Sequence, residues 1–171
     1  MPRPAADEYA SFVGAYISLV DSEDIGATLE SQLSQTLRLL GGVGGERALY
    51  RYEAGKWSVK EVVGHMSDTE RVFSYRMLRV GRGDATPLPG FEQDDFVRGA
   101  SFDSIPWEEL VAEFEAVRRA TLHLCRQFAP EAWLRRGTVN NAGISARALA
   151  YAIAGHELHH RGILTKSYSL A

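Results

Sequence analysis

The sequence predicts an all-α protein, a four-helix bundle with a long crossover connection. Three observations carry this: four long stretches place apolar residues at helical spacing, capping residues stand at their ends, and no stretch sustains the period-2 alternation of β-branched residues that a sheet requires.

In chain order, a short helix is expected over 8–19, within an N-terminal extension (1–23) that packs on the bundle. Its Phe12, Tyr16 and Ile17 offer apolar surface either to that bundle or to a second copy of the chain. The first main helix is expected over 24–40, where Ile25, Leu29, Leu33, Leu37 and Leu40 form one stripe and Gly41-Gly42 ends it. Ser58-Val59-Lys60-Glu61 is a capping box for the second, with Trp57 placed to staple onto Val62 and Gly81 and Gly83 marking the end. The third begins near Pro106, since proline suits a first turn, and stops before Pro130. The fourth follows Ser145, a good N-cap.

Two connections, 83–103 and 129–144, exceed ordinary bundle loops and are expected to lack regular structure. The first contains Pro-Gly-Phe at 89–91 and the acids Asp94 and Asp95. It can wall or cover a site, with Asp94 or Asp95 as a further oxygen ligand, or its aromatics can simply pin it to the bundle while its acids stay solvated.

The 171 residues, 45% of them hydrophobic, suit one globular domain spanning 1–171. With 19 basic and 22 acidic residues interspersed, the chain lacks the basic footprint of a nucleic-acid binder or a membrane-surface helix. No apolar run approaches the ~20 residues of a membrane span and no signal peptide opens the chain, so a cytoplasmic protein acting on a small molecule is expected. The lone Cys125 falls mid-helix toward the core and reads as a small buried hydrophobe.

Gly155-His156-Glu157-Leu158-His159-His160-Arg161 is the segment richest in chemistry. His156 and His160 sit four residues apart within the stripe of Leu149, Ala152, Ile153, Ile163 and Leu164, whereas His159 lies roughly 80° around the helix, at the stripe's edge. Two imidazoles buried side by side need partners, and a shared cation serves both; the alternative is a pair of core histidines bonded to side chains or water. The letters also spell the zinc-protease motif H-E-x-x-H, in which the glutamate is a base. That motif takes a ligand from downstream, yet the eleven residues after His160 contain no His, Asp, Glu or Cys. Glu157 is equally explained by an exposed ion pair with Arg161. A third ligand must therefore come from upstream. His123 points away from its helix's apolar face and reads as solvated, while His65 lies on the flank of a core stripe, above Thr69, Val72 and Arg76. His65, His156 and His160 would leave one coordination position open, as catalytic sites do.

The stretch Gly55-Lys56-Trp57-Ser58-Val59-Lys60-Glu61-Val62-Val63-Gly64-His65, with Asp68-Thr69-Glu70-Arg71 and Tyr75-Arg76 beyond it, resembles the second-helix signature of the DinB/YfiT-like metalloenzyme superfamily. The 155–160 segment resembles that superfamily's last-helix signature, and the likeness extends over most of the chain from Asp24. The resemblance implies a four-helix bundle with a long crossover, a divalent ion held by His65, His156 and His160, and, by family habit, a homodimer. It implies several activities: bacillithiol-type thiol S-transfer to small electrophiles, maleylpyruvate isomerisation with mycothiol, metal-dependent hydrolysis, or a non-catalytic binding or stress-response role.

Zinc suits three imidazoles, as do nickel and iron, with manganese a further option. Such an ion can lower the pKa of a low-molecular-weight thiol, so that its thiolate attacks an electrophile, or it can activate water with Glu157, Asp68 or Glu70 as base. The preferred expectation is S-transfer, with the sulfur supplied by the co-substrate. Arg76, on the flank of His65, is expected either to bind a carboxylate of that low-molecular-weight thiol or to pair with a loop acid.

Overall fold

In the computed structural model, which describes residues 2–171, the N-terminal segment forms a single 3-10 turn (Ala6–Glu8) and then α1 (Ser11–Ile17). Asp24 accepts a hydrogen bond from the Ala27 amide at 3.1 Å and opens α2 (Ile25–Gly41). The capping box at Ser58 closes in both directions: the Glu61 amide donates to the Ser58 hydroxyl at 3.0 Å and the Ser58 amide to the Glu61 carboxylate at 2.7 Å. This starts α3 (Val59–Gly81). After α4 (Gln93–Ala100) come α5 (Trp107–Arg126), opened by Pro106, and α6 (Ala146–Lys166), whose first turn donates from Ala148 to the Ser145 hydroxyl at 3.1 Å.

Helices α2, α3, α5 and α6 make the bundle, with α3 packed along both α5 and α6 and α2 closing the other side. The crossover 83–103 is not structureless. Its acids and amide start α4, and a further 3-10 turn (Phe102–Ser104) leads into α5. The absence of sheet also needs correction, because Arg136–Val139 and Ala142–Ser145 pair as an antiparallel hairpin, β1 and β2. Its turn residues Asn140 and Asn141 have φ of 49° and 61°, the left-handed pair that a two-residue hairpin turn demands. Four-residue strands are too short to show alternation. The crossover adds to this hairpin: the Leu88 amide donates to the Thr138 carbonyl and the Asn140 amide to the Leu88 carbonyl, both at 2.9 Å.

Helix α6 is enclosed more fully than its apolar stripe implies. Apart from Arg147, every residue from Ala146 to Glu157 is buried, because α1, α2, α3 and the hairpin each take a side. Leu149, Ile153 and Leu164 are at most 2% exposed, and each such side chain contributes about 1.5–3 kcal/mol of burial. Two glycines let neighbours press against the histidine-bearing segments. A Cβ on Gly155 would overlap the Tyr16 carbonyl of α1, and one on Gly64 would overlap the Phe102 ring. Among the described residues, no helix is long and apolar enough to cross a membrane.

Candidate metal centre

His65 on α3 faces His156 and His160 on consecutive turns of α6. The Nε2 of His65 lies 3.0 Å from Nε2 of His156 and 3.2 Å from Nε2 of His160, and the three residues are at most 7% exposed. They form the one cluster of potential ligands that the described residues contain. Trp57 tilts over His65 with ring centroids 4.8 Å apart, and Tyr16 meets His156 edge-on at 5.3 Å. The Thr69 hydroxyl lies 3.4 Å from Nδ1 of His65, where it can fix the tautomer that turns the Nε2 lone pair inward. Thr69 is a functional candidate that sequence reasoning passed over, although its i, i+4 spacing from His65 was visible.

Burial holds all three imidazoles neutral. It pushes His65 down to about 4 and His160 to about 2, with neighbouring histidines adding to the effect, and it lowers His156 well below the ordinary value, helped by His160 and His65. Three neutral nitrogens meeting at one point cannot satisfy one another, because each offers either one N–H or one lone pair. Nδ1 of His160 is also buried without a partner. One cation would meet all three lone pairs. At Zn–N distances near 2.0–2.1 Å, tetrahedral ligands stand about 3.3 Å apart, close to the separations found. The donor set therefore fits a divalent ion.

The other sequence candidates are dispersed. Glu157 points away from the triad, toward α2 and α5. It is 2% exposed, accepts a hydrogen bond from Thr36 and pairs with Arg118 at 2.6 Å. The pair expected with Arg161 forms at 3.9 Å, but it is buried at Glu157 rather than exposed, and Arg118 is the closer partner. Glu70 joins the same cluster by a bidentate pair with Arg118 at 2.7 and 2.8 Å. Asp68 is half-buried beside Arg71 at 3.5 Å, and burial raises its pKa. Asp95 pairs with Arg98 at the surface, and His123 is exposed. Cys125 lies between α2 and α5, where burial pushes its thiol up to about 12.

Two cavities reach the triad. One, of about 300 Å³, opens onto His65 and His156 and is walled by α1, the crossover and the hairpin, with Phe73, Arg76, Phe91 and Asn140 in its lining. The other, of about 380 Å³, lies on the His160 side among Trp57, Lys56, His159, Asp94 and Tyr168. Gln93, at the start of α4, borders both, and exposed Glu92 is the one carboxylate lining the first.

A helical bundle with a crossover and three converging histidines defines the class of this molecule. The chain belongs to the DinB superfamily, whose family model matches residues 28–164. Among solved structures it is similar to YfiT from Bacillus subtilis, described as a probable metal-dependent hydrolase with an unusual four-helix bundle topology. The two share 12% identity at a TM-score of 0.71, over 99% of this chain and 95% of that one. It is similar also to a mycothiol-dependent maleylpyruvate isomerase (13%, TM-score 0.69, 85% of this chain and 61% of that one). A DinB-like protein of Bacillus subtilis, YjoA, matches at 18% identity and a TM-score of 0.62, over 86% and 91%. At these identities the likeness establishes the fold. No curated protein matches the chain.

Proposed function

We propose that the protein is a metal-dependent enzyme whose ion is held by His65, His156 and His160, and that it transfers a low-molecular-weight thiol to a small electrophile. A divalent cation there would lower the pKa of a bound thiol or water. The observation that carries the choice of thiol is the disposition of the carboxylates. Glu157 and Glu70 are committed to Arg118, Asp68 lies outside the lining of both cavities at the triad, and the carboxylates that do line them, Glu92 and Asp94, are exposed. A thiol, far more acidic than water, makes the smaller demand on a base. Cavities on both sides of the triad also leave room for two reactants. Since Cys125 is remote and its thiol is held protonated, the sulfur comes from the co-substrate.

In this reading the chain's own residues orient and enclose. Thr69 fixes His65, Trp57 and Tyr16 shield the imidazoles from water, and Arg76 binds substrate. The test is zinc-loaded protein with bacillithiol or cysteine and monochlorobimane: a C–S bond forms, the C–Cl bond breaks, and chloride and the thiol proton are released. Thioether formation that His65→Ala abolishes, together with about one ion per chain in wild type and none in the variant, supports the reading. No rate above the uncatalysed one with any thiol sinks the transfer. Hydrolysis is the second reading, favoured by Glu92 on the cavity lining; thiol-independent cleavage of an ester or amide would select it. Neither an ion in wild type nor a rate with either substrate class would leave a non-catalytic binding role.

A further inference from the structure

Arg76 projects from α3 into the cavity that opens onto His65 and His156, yet it is 7% exposed. Its protein partners are few. Nη2 donates to the Pro89 carbonyl at 2.6 Å, and the guanidinium stands 5.7 Å from the Phe73 ring and 5.5 Å from the Phe91 ring. Among the described residues no carboxylate lies within 4.0 Å of it, and burial alone acts on its pKa, lowering it. A buried guanidinium without a counter-ion is costly, and natural proteins keep such a group where something else supplies the charge. Its other N–H groups make no hydrogen bond among the described residues, and the side chain lines the cavity.

We propose that Arg76 is the anion-binding end of the substrate cavity, and that the ligand is a small monocarboxylate with an apolar body. The choice of anion follows from the lining, which holds one guanidinium, neither a lysine nor a second arginine, and one carboxylate, the exposed Glu92. A single planar fork matches a carboxylate bidentately, whereas a phosphate dianion calls for more positive charge. The apolar body follows from Phe12, Phe73, Phe91 and Ile144 on the walls. Asn140, held in the left-handed turn of the hairpin, adds an amide on the same lining. The carboxylate at Arg76 directs the ligand's far end toward the histidines, and only that orientation rests on the proposed function.

The experiment uses metal-free protein, so that no carboxylate can bind through an ion. Calorimetric titration compares 3-phenylpropionate with its neutral isostere 3-phenylpropionamide and with phenyl phosphate. Wild type is expected to prefer the carboxylate to the amide by about ten-fold or more, the contribution of a charge-assisted hydrogen bond. Arg76→Gln keeps a donor for Pro89 but lacks the charge, and should bring that ratio to within about two-fold; Arg76→Lys should keep part of it. Circular dichroism melts of the variants check that each is folded. Equal affinity for acid and amide in wild type, a ratio that survives in Arg76→Gln, or binding of neither compound overturns the proposal, and tighter binding of phenyl phosphate overturns the monocarboxylate. Zinc stoichiometry is measured separately, on portions of each protein reloaded with zinc. Discrimination by protein that takes up no zinc on reloading would refute the metal centre and keep this subsite, and zinc uptake without discrimination would do the reverse.

Discussion

Two buried arginines on neighbouring helices show opposite uses of the same side chain. Arg118 on α5 is fully buried and fully answered: a bidentate pair with Glu70, an ion pair with Glu157 at 2.6 Å and a hydrogen bond to the Leu29 carbonyl at 3.2 Å. Burial alone would lower its pKa, and the two carboxylates hold it above the ordinary value instead. Arg76 on α3 has no carboxylate within ion-pair distance, exposed Glu92 sharing only the lining of its cavity. The first knots α2, α3, α5 and α6 together; the second is left open toward a cavity. A buried cation surrounded by its partners serves the fold, and one without them waits for a ligand. Helix α6 repeats the contrast between adjacent residues, with Glu157 turned to Arg118 and His156 turned to the triad.

The comparison is most severely tested at Arg118. Arg118→Met strands two buried carboxylates and is expected to destabilise the protein by about 3–5 kcal/mol in denaturant unfolding, while the triple variant with Glu70→Gln and Glu157→Gln recovers most of that loss. A loss below about 1 kcal/mol would remove the structural half of the contrast. Arg76→Gln should change stability by less than about 1 kcal/mol, because it removes an uncompensated charge and keeps the donor to Pro89; a loss comparable with that of Arg118→Met would make Arg76 structural as well.

A third arginine lies between these extremes. Arg147 of α6 pairs with Glu8, tying the N-terminal segment to the bundle, and its hydrogen bonds hold Glu8 down at about 2 against an ordinary 4.5. The unfolded chain binds this proton more readily, so the stabilisation is complete above about pH 4.5 and is lost as pH falls toward 2. Glu8→Gln should flatten that part of a stability-against-pH curve, and an unchanged curve would show the pair to be too solvated to matter. The smallest effect is expected at His159, which is exposed and meets the His160 ring edge-on but lies outside the cluster of converging nitrogens: His159→Ala should leave metal stoichiometry unchanged, as should His123→Ala. Loss of the ion in His159→Ala would overturn the assignment of faces on α6.

Much of this was legible in the chain. Asp24, Ser58, Pro106 and Ser145 announced the four helix starts, because caps act within one turn and depend on their own sequence. The spacing of His156 and His160 placed both on one face for the same local reason. The hairpin was missed, since its evidence was two asparagines between strands too short for a pattern. The pair of Glu157 with Arg161 is present at 3.9 Å, but its burial and the closer partner, Arg118 on another helix, had no signal in the neighbouring sequence.

The sequence by itself determined the helices, their buried faces and which histidines share a side, all set by short-range periodicity and hydrogen bonding. Only the tertiary structure decided what each buried charge meets. It gave Glu70 and Glu157 to Arg118, left Arg76 facing a cavity, and brought His65 to histidines 91 and 95 residues away. Solvation and pairing of a charge depend on every element packed around it, and no local pattern encodes that.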